Sequence, residues 1–230
     1  MKKTIAVFGA LLLMSSAAIQ AQKPSVYVKA GLNLANISVD KDGQVDDSRT
    51  LSSFHAGLQA DLPVSSFFAI QPGVFFTGKG SKIESGNTSG DNWYRVSTRP
   101  YYIEVPVNAV IKIPLGEEAR FFIGAGPYAA IGVGGKNKIE GELLGVDFSR
   151  TQNIKFSDDD PFTSGEEGSG YGIMRRFDYG LNGTAGVEGK RAVFSVNYGL
   201  GLAKLQSGTS SSDDELNKHR VLSFTVGVKL

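Results

Sequence analysis

Cysteine is absent from the 230 residues. That excludes disulfides, thiolate metal sites and a cysteine nucleophile, and with them a lipid anchor built on a cysteine at a cleavage point. Histidine occurs twice, so chemistry that needs an imidazole has only His55 and His219 to draw on. Charge of one sign is not in excess: 24 Lys and Arg against 23 Asp and Glu leave a formal net charge of +1. No pull toward nucleic acid follows from that balance, and no segment reads as a recognition helix or a basic arm. A long apolar run is also missing. The apolar stretch Ile5 to Ala18 falls short of the roughly 20 residues a spanning helix needs. With Lys2-Lys3 before it and Ala21 after it, residues 1–21 read as a secretory signal peptide, leaving 22–230 as a single domain.

Glycine and aromatics are plentiful: 29 Gly, 14 Phe and 8 Tyr. Together with little helical patterning, they suit a strongly curved sheet. Eight segments alternate apolar and polar with period two. In the first, Val26, Val28, Ala30, Leu32 and Leu34 oppose Tyr27, Lys29, Gly31 and Asn33. The others run through Phe54–Leu62, Phe68–Thr77, Tyr101–Ile113, Arg120–Val133, Arg176–Val187, Ala192–Leu202 and Leu222–Leu230. One face of every segment is nearly free of charge. The other mixes Gly, Asn and Thr with a few charges. Pro72, Pro106 and Pro127 fall inside segments, and each predicts a bulge or a broken ladder bond.

The connections alternate as well. Tight turns fall near Pro63-Val64-Ser65-Ser66, Pro114 to Glu118 and Glu188-Gly189-Lys190, and long loops near 38–52, 81–99, 134–174 and 204–217. A barrel crossing a bilayer sorts its loops this way, because one rim faces the periplasm and the other the exterior. The expected fold is therefore all-β: an eight-stranded antiparallel up-and-down transmembrane barrel in the cell outer membrane. Its charge-free faces meet lipid and its polar faces meet the lumen. Phe67, Phe68, Phe121 and Phe194 at the short-turn rim, and Phe54, Phe76, Tyr101, Phe177 and Tyr179 toward the other, fit interfacial girdles.

Several stretches carry a family likeness. Tyr101-Tyr102-Ile103-Glu104-Val105-Pro106-Val107 and Phe122-Ile123-Gly124-Ala125-Gly126-Pro127-Tyr128 do so first. Phe177-Asp178-Tyr179-Gly180-Leu181-Asn182 with Gly186-Val187-Glu188, and Asn197-Tyr198-Gly199-Leu200-Gly201-Leu202, continue it. Over nearly the whole chain beyond the leader, the sequence resembles the PorT-type outer-membrane β-barrel proteins of Bacteroidetes. The ending Val228-Lys229-Leu230 departs from the aromatic closure common in that family. The resemblance implies an eight-stranded outer-membrane barrel. One named member belongs to the type IX secretion and gliding apparatus, a role the resemblance does not carry over.

The interior of an eight-stranded barrel is just wide enough for side chains to fill. Lys29, Asp61, Glu104, Lys112, Arg120, Arg176 and Asp178 are the expected lumen charges, and burial requires them to pair. Glu104 with Arg176 is the expected pair. The function that follows is structural or surface-interactive, with a narrow porin-like channel for ions or small solutes as the alternative. A lipid A-modifying enzyme is a third possibility. It would need a serine and a carboxylate beside His55 or His219, both read near the long-loop rim, and no nucleophile motif stands out. No cofactor or metal is expected. Asp158-Asp159-Asp160, Glu166-Glu167 and Asp40-Lys41-Asp42-Gly43 lack full calcium-loop spacing and read as solvated loops. Expected partners are outer-membrane lipid and lipopolysaccharide, with other envelope proteins as further candidates.

Overall fold

The computed structural model describes residues 23–37, 50–86, 92–156, 173–203, 205 and 218–230. The leader at 1–21 and the acidic segments at 40–43, 158–160 and 166–167 lie outside the described residues. Among the described residues there are twelve strands: β1 (Ser25–Ile37), β2 (Leu51–Pro63), β3 (Phe68–Gly78), β4 (Ser81–Gly86), β5 (Asn92–Pro114), β6 (Arg120–Leu143), β7 (Val146–Asn153), β8 (Lys155–Phe156), β9 (Ile173–Met174), β10 (Phe177–Glu188), β11 (Ala192–Gly201) and β12 (His219–Lys229). Eight of them close a ring in the order β1-β2-β3-β5-β6-β10-β11-β12 and back to β1, every neighbour antiparallel.

The alternation predicts the wall correctly. Tyr27, Lys29 and Asn33 are buried while Val26, Val28 and Leu32 are exposed, and the same split runs around the ring. Leu58, Val74, Ile111, Ile123, Leu181, Phe194 and Val226 are all at least half exposed on its outer face. A continuous apolar belt of this kind has no counterpart on a water-soluble monomer and marks a lipid-facing wall. Along β5 it runs from Tyr101 to Ile113, about 40 Å of strand and about 30 Å of height at a tilt of about 40°.

The three prolines break the ladder without shifting it. Pairings lapse opposite or beside Pro72, Pro106 and Pro127, yet the register is the same on either side. The register shift between β5 and β6 lies elsewhere, at Tyr101 and Tyr102 against Gly134 and Gly132, where β6 carries one extra residue.

The long connections 81–99 and 134–174 are not simply loops. β5 and β6 continue past the ring, and β4 and β7 join them, so that β4-β5-β6-β7 form a four-stranded sheet standing above the barrel. Its β6–β7 hairpin turns through Leu144 (φ 52°) and Gly145 (φ 78°). Positive φ at two successive residues is the primed turn that matches strand twist. Below it, Ile154, Met174 and Leu205 pack with Ile37 and Phe156 across the mouth of the ring.

The amphipathic pattern inverts at the junction. Outward from β5, Tyr101 and Ile103 are followed upward by Arg99, Ser97 and Arg95. Outward from β6, Ile131 and Val133 are followed by Lys136, Lys138 and Glu140. The inner face carries Val96, Ile139 and Phe148 instead. β5 keeps its alternation through the junction, and β6 passes it with its one extra residue, so the change of polarity on a continuous outer face is one of solvent. The upper edge of the hydrocarbon falls at the level of Tyr101, Phe54 and Phe76, whose rings cluster at 5.3–6.4 Å.

Inside the wall, Phe75 is the largest side chain on its strand's inner face, and Gly57 and Gly73 make room for it: a β-carbon would come within 2.7 and 2.6 Å of its ring. Gly57→Leu is therefore expected to lower unfolding free energy by about 1–3 kcal/mol, read as a lower urea midpoint of the folded fraction. An unchanged midpoint would contradict this packing.

Candidate functional site

Because side chains alternate, each wall strand sends every second residue into the lumen. Those residues form three polar layers.

At the short-turn end, β5 supplies Lys112. Its Nζ donates to Asp61 Oδ2 on β2 at 2.8 Å and to Glu188 Oε1 and Oε2 on β10 at 2.8 and 2.9 Å. Gln71 Nε2 donates to the other Asp61 oxygen at 2.9 Å. Lys29 donates to Gln59 Oε1 at 2.5 Å, and its ammonium lies 5.8 and 5.9 Å from the ring centres of Tyr27 and Phe122. Arg120 is half-buried at this mouth, opposite Glu188 in the β6–β10 ladder.

The middle layer is built around His55, whose ring nitrogens donate or accept according to the tautomer. Its Nδ1 shares a hydrogen bond with Asn33 Oδ1 at 2.7 Å, and its Nε2 one with Thr225 Oγ1 at 2.9 Å. Asn33 Nδ2 donates to Thr77 Oγ1 at 2.9 Å, Ser223 Oγ donates to Asn33 Oδ1 at 2.8 Å, and Asn197 Nδ2 donates to Thr225 Oγ1 at 2.8 Å. This one network ties β1, β2, β3, β11 and β12 across the bore.

At the long-loop end, Lys79 is 3 % exposed. Its Nζ lies 2.7 Å from Glu104 Oε2 and 2.7 Å from Asp178 Oδ2, and 4.2 Å from the centre of the Tyr128 ring. Tyr128 donates to the same Asp178 oxygen at 3.2 Å. Lys79 sits between β3 and β4 with its N–H bonded to Pro100 O. Gly80 follows at φ +124°, a conformation L side chains rarely adopt. That turn keeps the chain in register with β5 while Lys79 points inward.

Of the seven expected lumen charges, Lys29, Asp61, Lys112 and Asp178 are buried and Glu104 is half-buried in the lumen, with Arg120 at its edge. Arg176 is the exception. It is exposed just before β10, with its carbonyl bonded to Gly132 N. The expected Glu104–Arg176 pair is corrected: Arg176 lies beyond the last ladder pair, and Lys79 occupies the place between Glu104 and Asp178. Lys79 and Glu188 were missed because the first follows the predicted end of its strand and the second was read as turn. Continuing the period-two count, 77 to 79 and 186 to 188, finds both.

The histidines are not at an open rim either. His55 is enclosed in the middle layer, and His219 is fully buried with Nε2 3.4 Å from the Tyr102 hydroxyl. Neither has a serine or carboxylate among its hydrogen-bond partners in the described residues. The packing leaves a central cavity of about 60 Å³, lined by Lys29, His55, Gln59, Asn108, Asn197 and Thr225 among others. That is room for a few waters.

A second polar site lies outside the wall. The outer face of the β4–β7 sheet and the top of β2 enclose a cavity of about 560 Å³. Lys82, Arg95, Arg99, Lys136 and Lys138 line it with two carboxylates, Glu84 and Glu140. Arg95 bridges both carboxylates, at 2.5 and 3.5 Å, Lys82 reaches Glu84 at 3.3 Å, and Lys138 pairs with Glu140. The hydrogen bond from Lys138, aided by Arg95, holds the Glu140 carboxyl below the usual range.

A family model described as "Outer membrane protein beta-barrel domain" matches residues 20–207. The chain belongs to that family. It is an outer-membrane protein, and the apolar belt is its lipid contact. No curated protein matches it. Among solved structures, Ail, the attachment invasion locus protein of Yersinia pestis, is similar at 12 % identity and TM-score 0.41, over 91 % of this chain and 100 % of that one. Neisserial surface protein A is similar at 14 % identity and TM-score 0.43, over 91 % and 99 %.

Removing Lys79 would leave two carboxylates, Glu104 and Asp178, facing each other inside the bore without their shared cation. Lys79→Met is expected to cost about 3–5 kcal/mol in urea titration of the folded barrel, and Glu104→Gln to lower its heat stability. Arg176→Gln should stay within about 0.5 kcal/mol of wild type. Equal losses for Lys79 and Arg176 would refute the pairing described.

Proposed function

We propose that this outer-membrane barrel is a closed structural platform whose interactions are made by its extracellular sheet and loops, after removal of residues 1–21 as a signal peptide. The observation that carries this reading is the pair of buried lysines. Lys112 at one end and Lys79 at the other each join two carboxylates from different strands. The lumen is then a cross-brace. Its three buried lysines and its carboxylates Asp61, Glu104, Asp178 and Glu188 nearly balance in charge, which gives an ion of either sign little reason to enter. The motif resemblance to PorT-type proteins of Bacteroidetes supports placing the chain in that subgroup. Lipopolysaccharide and other envelope proteins are the partners such a platform would meet.

The second reading is a narrow channel, favoured by the small polar cavity at mid-lumen. A lipid A-modifying enzyme draws least support, since both histidines are enclosed and neither has a serine among its hydrogen-bond partners in the described residues.

In planar bilayers the purified barrel is expected to give no steady current steps. Reproducible unitary conductance would overturn the closed-platform reading in favour of the channel. The absence of cysteine allows a separate check of orientation. Leu144→Cys, at a position 82 % exposed on the β6–β7 turn, should react on intact cells with a membrane-impermeant maleimide. Labelling only after lysis would invert the assigned orientation.

A further inference from the structure

We infer that the outer face of the β4–β7 sheet is a binding site for the phosphorylated headgroup of an outer-leaflet glycolipid of the lipid A type. The inference deepens the platform reading and rests on its placement of this sheet outside the hydrocarbon.

Four observations carry it. Arg99 and Lys136 are direct partners across the β5–β6 ladder, so two cations face one another at neighbouring positions on one surface. Like charges so placed destabilise a sheet. Second, neither side chain has a carboxylate partner among the described residues, because Glu84 and Glu140 are engaged by Arg95, Lys82 and Lys138. The remaining acids of that face, Glu142 and Asp147, stand nearer the hairpin tip, opposite Trp93. Third, the cations border a cavity of about 560 Å³ to which Thr50 and Ser52 add hydroxyls, a size and chemistry suited to phosphates on a sugar.

The fourth observation selects the source of the phosphate. Tyr101 lines the cavity beside the cations, and its ring stacks on Phe76 at 5.3 Å and lies beside Phe54. Those rings lie on the lipid-facing wall, at the level where outward residues change from apolar to basic. An amphiphile held there would place acyl chains against the rings and phosphate between Arg99 and Lys136. A soluble polyanion would use the cations and leave the aromatic floor unused.

The test uses the full-length mature barrel in detergent micelles and titrates diphosphoryl lipid A, its dephosphorylated form, and its deacylated sugar bisphosphate, with bound lipid counted by native mass spectrometry. Diphosphoryl lipid A is expected to bind tightest. Removing its phosphates, or introducing Arg99→Gln with Lys136→Gln, should weaken it about thirty-fold, from two cations acting near a charged surface. Arg191→Gln, the same kind of charge change at the other rim, should leave binding unchanged. Equal binding of phosphorylated and dephosphorylated lipid overturns the site, and that comparison needs only the wild-type protein should the double variant not fold. Deacylated headgroup binding as tightly as the whole lipid overturns the lipid and leaves a soluble polyanion. A negative result alongside surface labelling at position 144 and a silent bilayer would reject this inference alone.

Discussion

In hydrocarbon every backbone N–H and C=O has to find a partner within the protein, and a sheet satisfies that only when it has no edge. The pairing of β1 with β12, eleven residues long from Tyr27↔Lys229 to Ile37↔His219, is therefore the contact on which the remainder depends. Once the ring closes, the alternation of side chains has no freedom left: one set faces lipid and the other is confined to a bore about as wide as a few side chains. Confinement makes charge pairing compulsory. The two lysine-centred bridges and the His55–Asn33–Thr225 network follow from closure, and they brace strands far apart around the ring.

The same constraint explains where order relaxes. Prolines are tolerated at three places in the wall because each removes one ladder bond while its neighbours keep the register. Above the hydrocarbon the constraint lapses. There β4 and β7 each leave one edge unpaired within the four-stranded sheet, which water or a headgroup layer can satisfy and lipid tails cannot.

Most of the wall was legible in the sequence, since a period of two with a charge-free face leaves little choice of strand or face. Lumen residues followed wherever a strand's ends were judged correctly: Lys29, Asp61, Glu104, Lys112 and Asp178 all came from parity. Arg176 shows the limit of that logic. Parity assigns a face, while height along the axis decides whether that face looks into the bore or out of it. Height depends on strand tilt and on the extra residue in β6 near Gly132, neither of which leaves a mark in the amino-acid pattern. The β4–β7 sheet was hidden for a related reason. Its alternation is present in Arg95, Ser97 and Arg99, but with polarity reversed, so it looks like loop composition.

Closure by β1 and β12 also fixes an order of events. The two strands that complete the ring are separated by almost the whole chain, so nothing resembling the finished wall exists until the last strand has been made and delivered across the inner membrane. Until then the chain carries two bare edges and a belt of apolar side chains through an aqueous compartment, the combination most prone to pair with the wrong neighbour. Its high contact order makes the final step slow as well as late. The wall is therefore protected from wrong pairing only once strands from the two ends of the barrel have met.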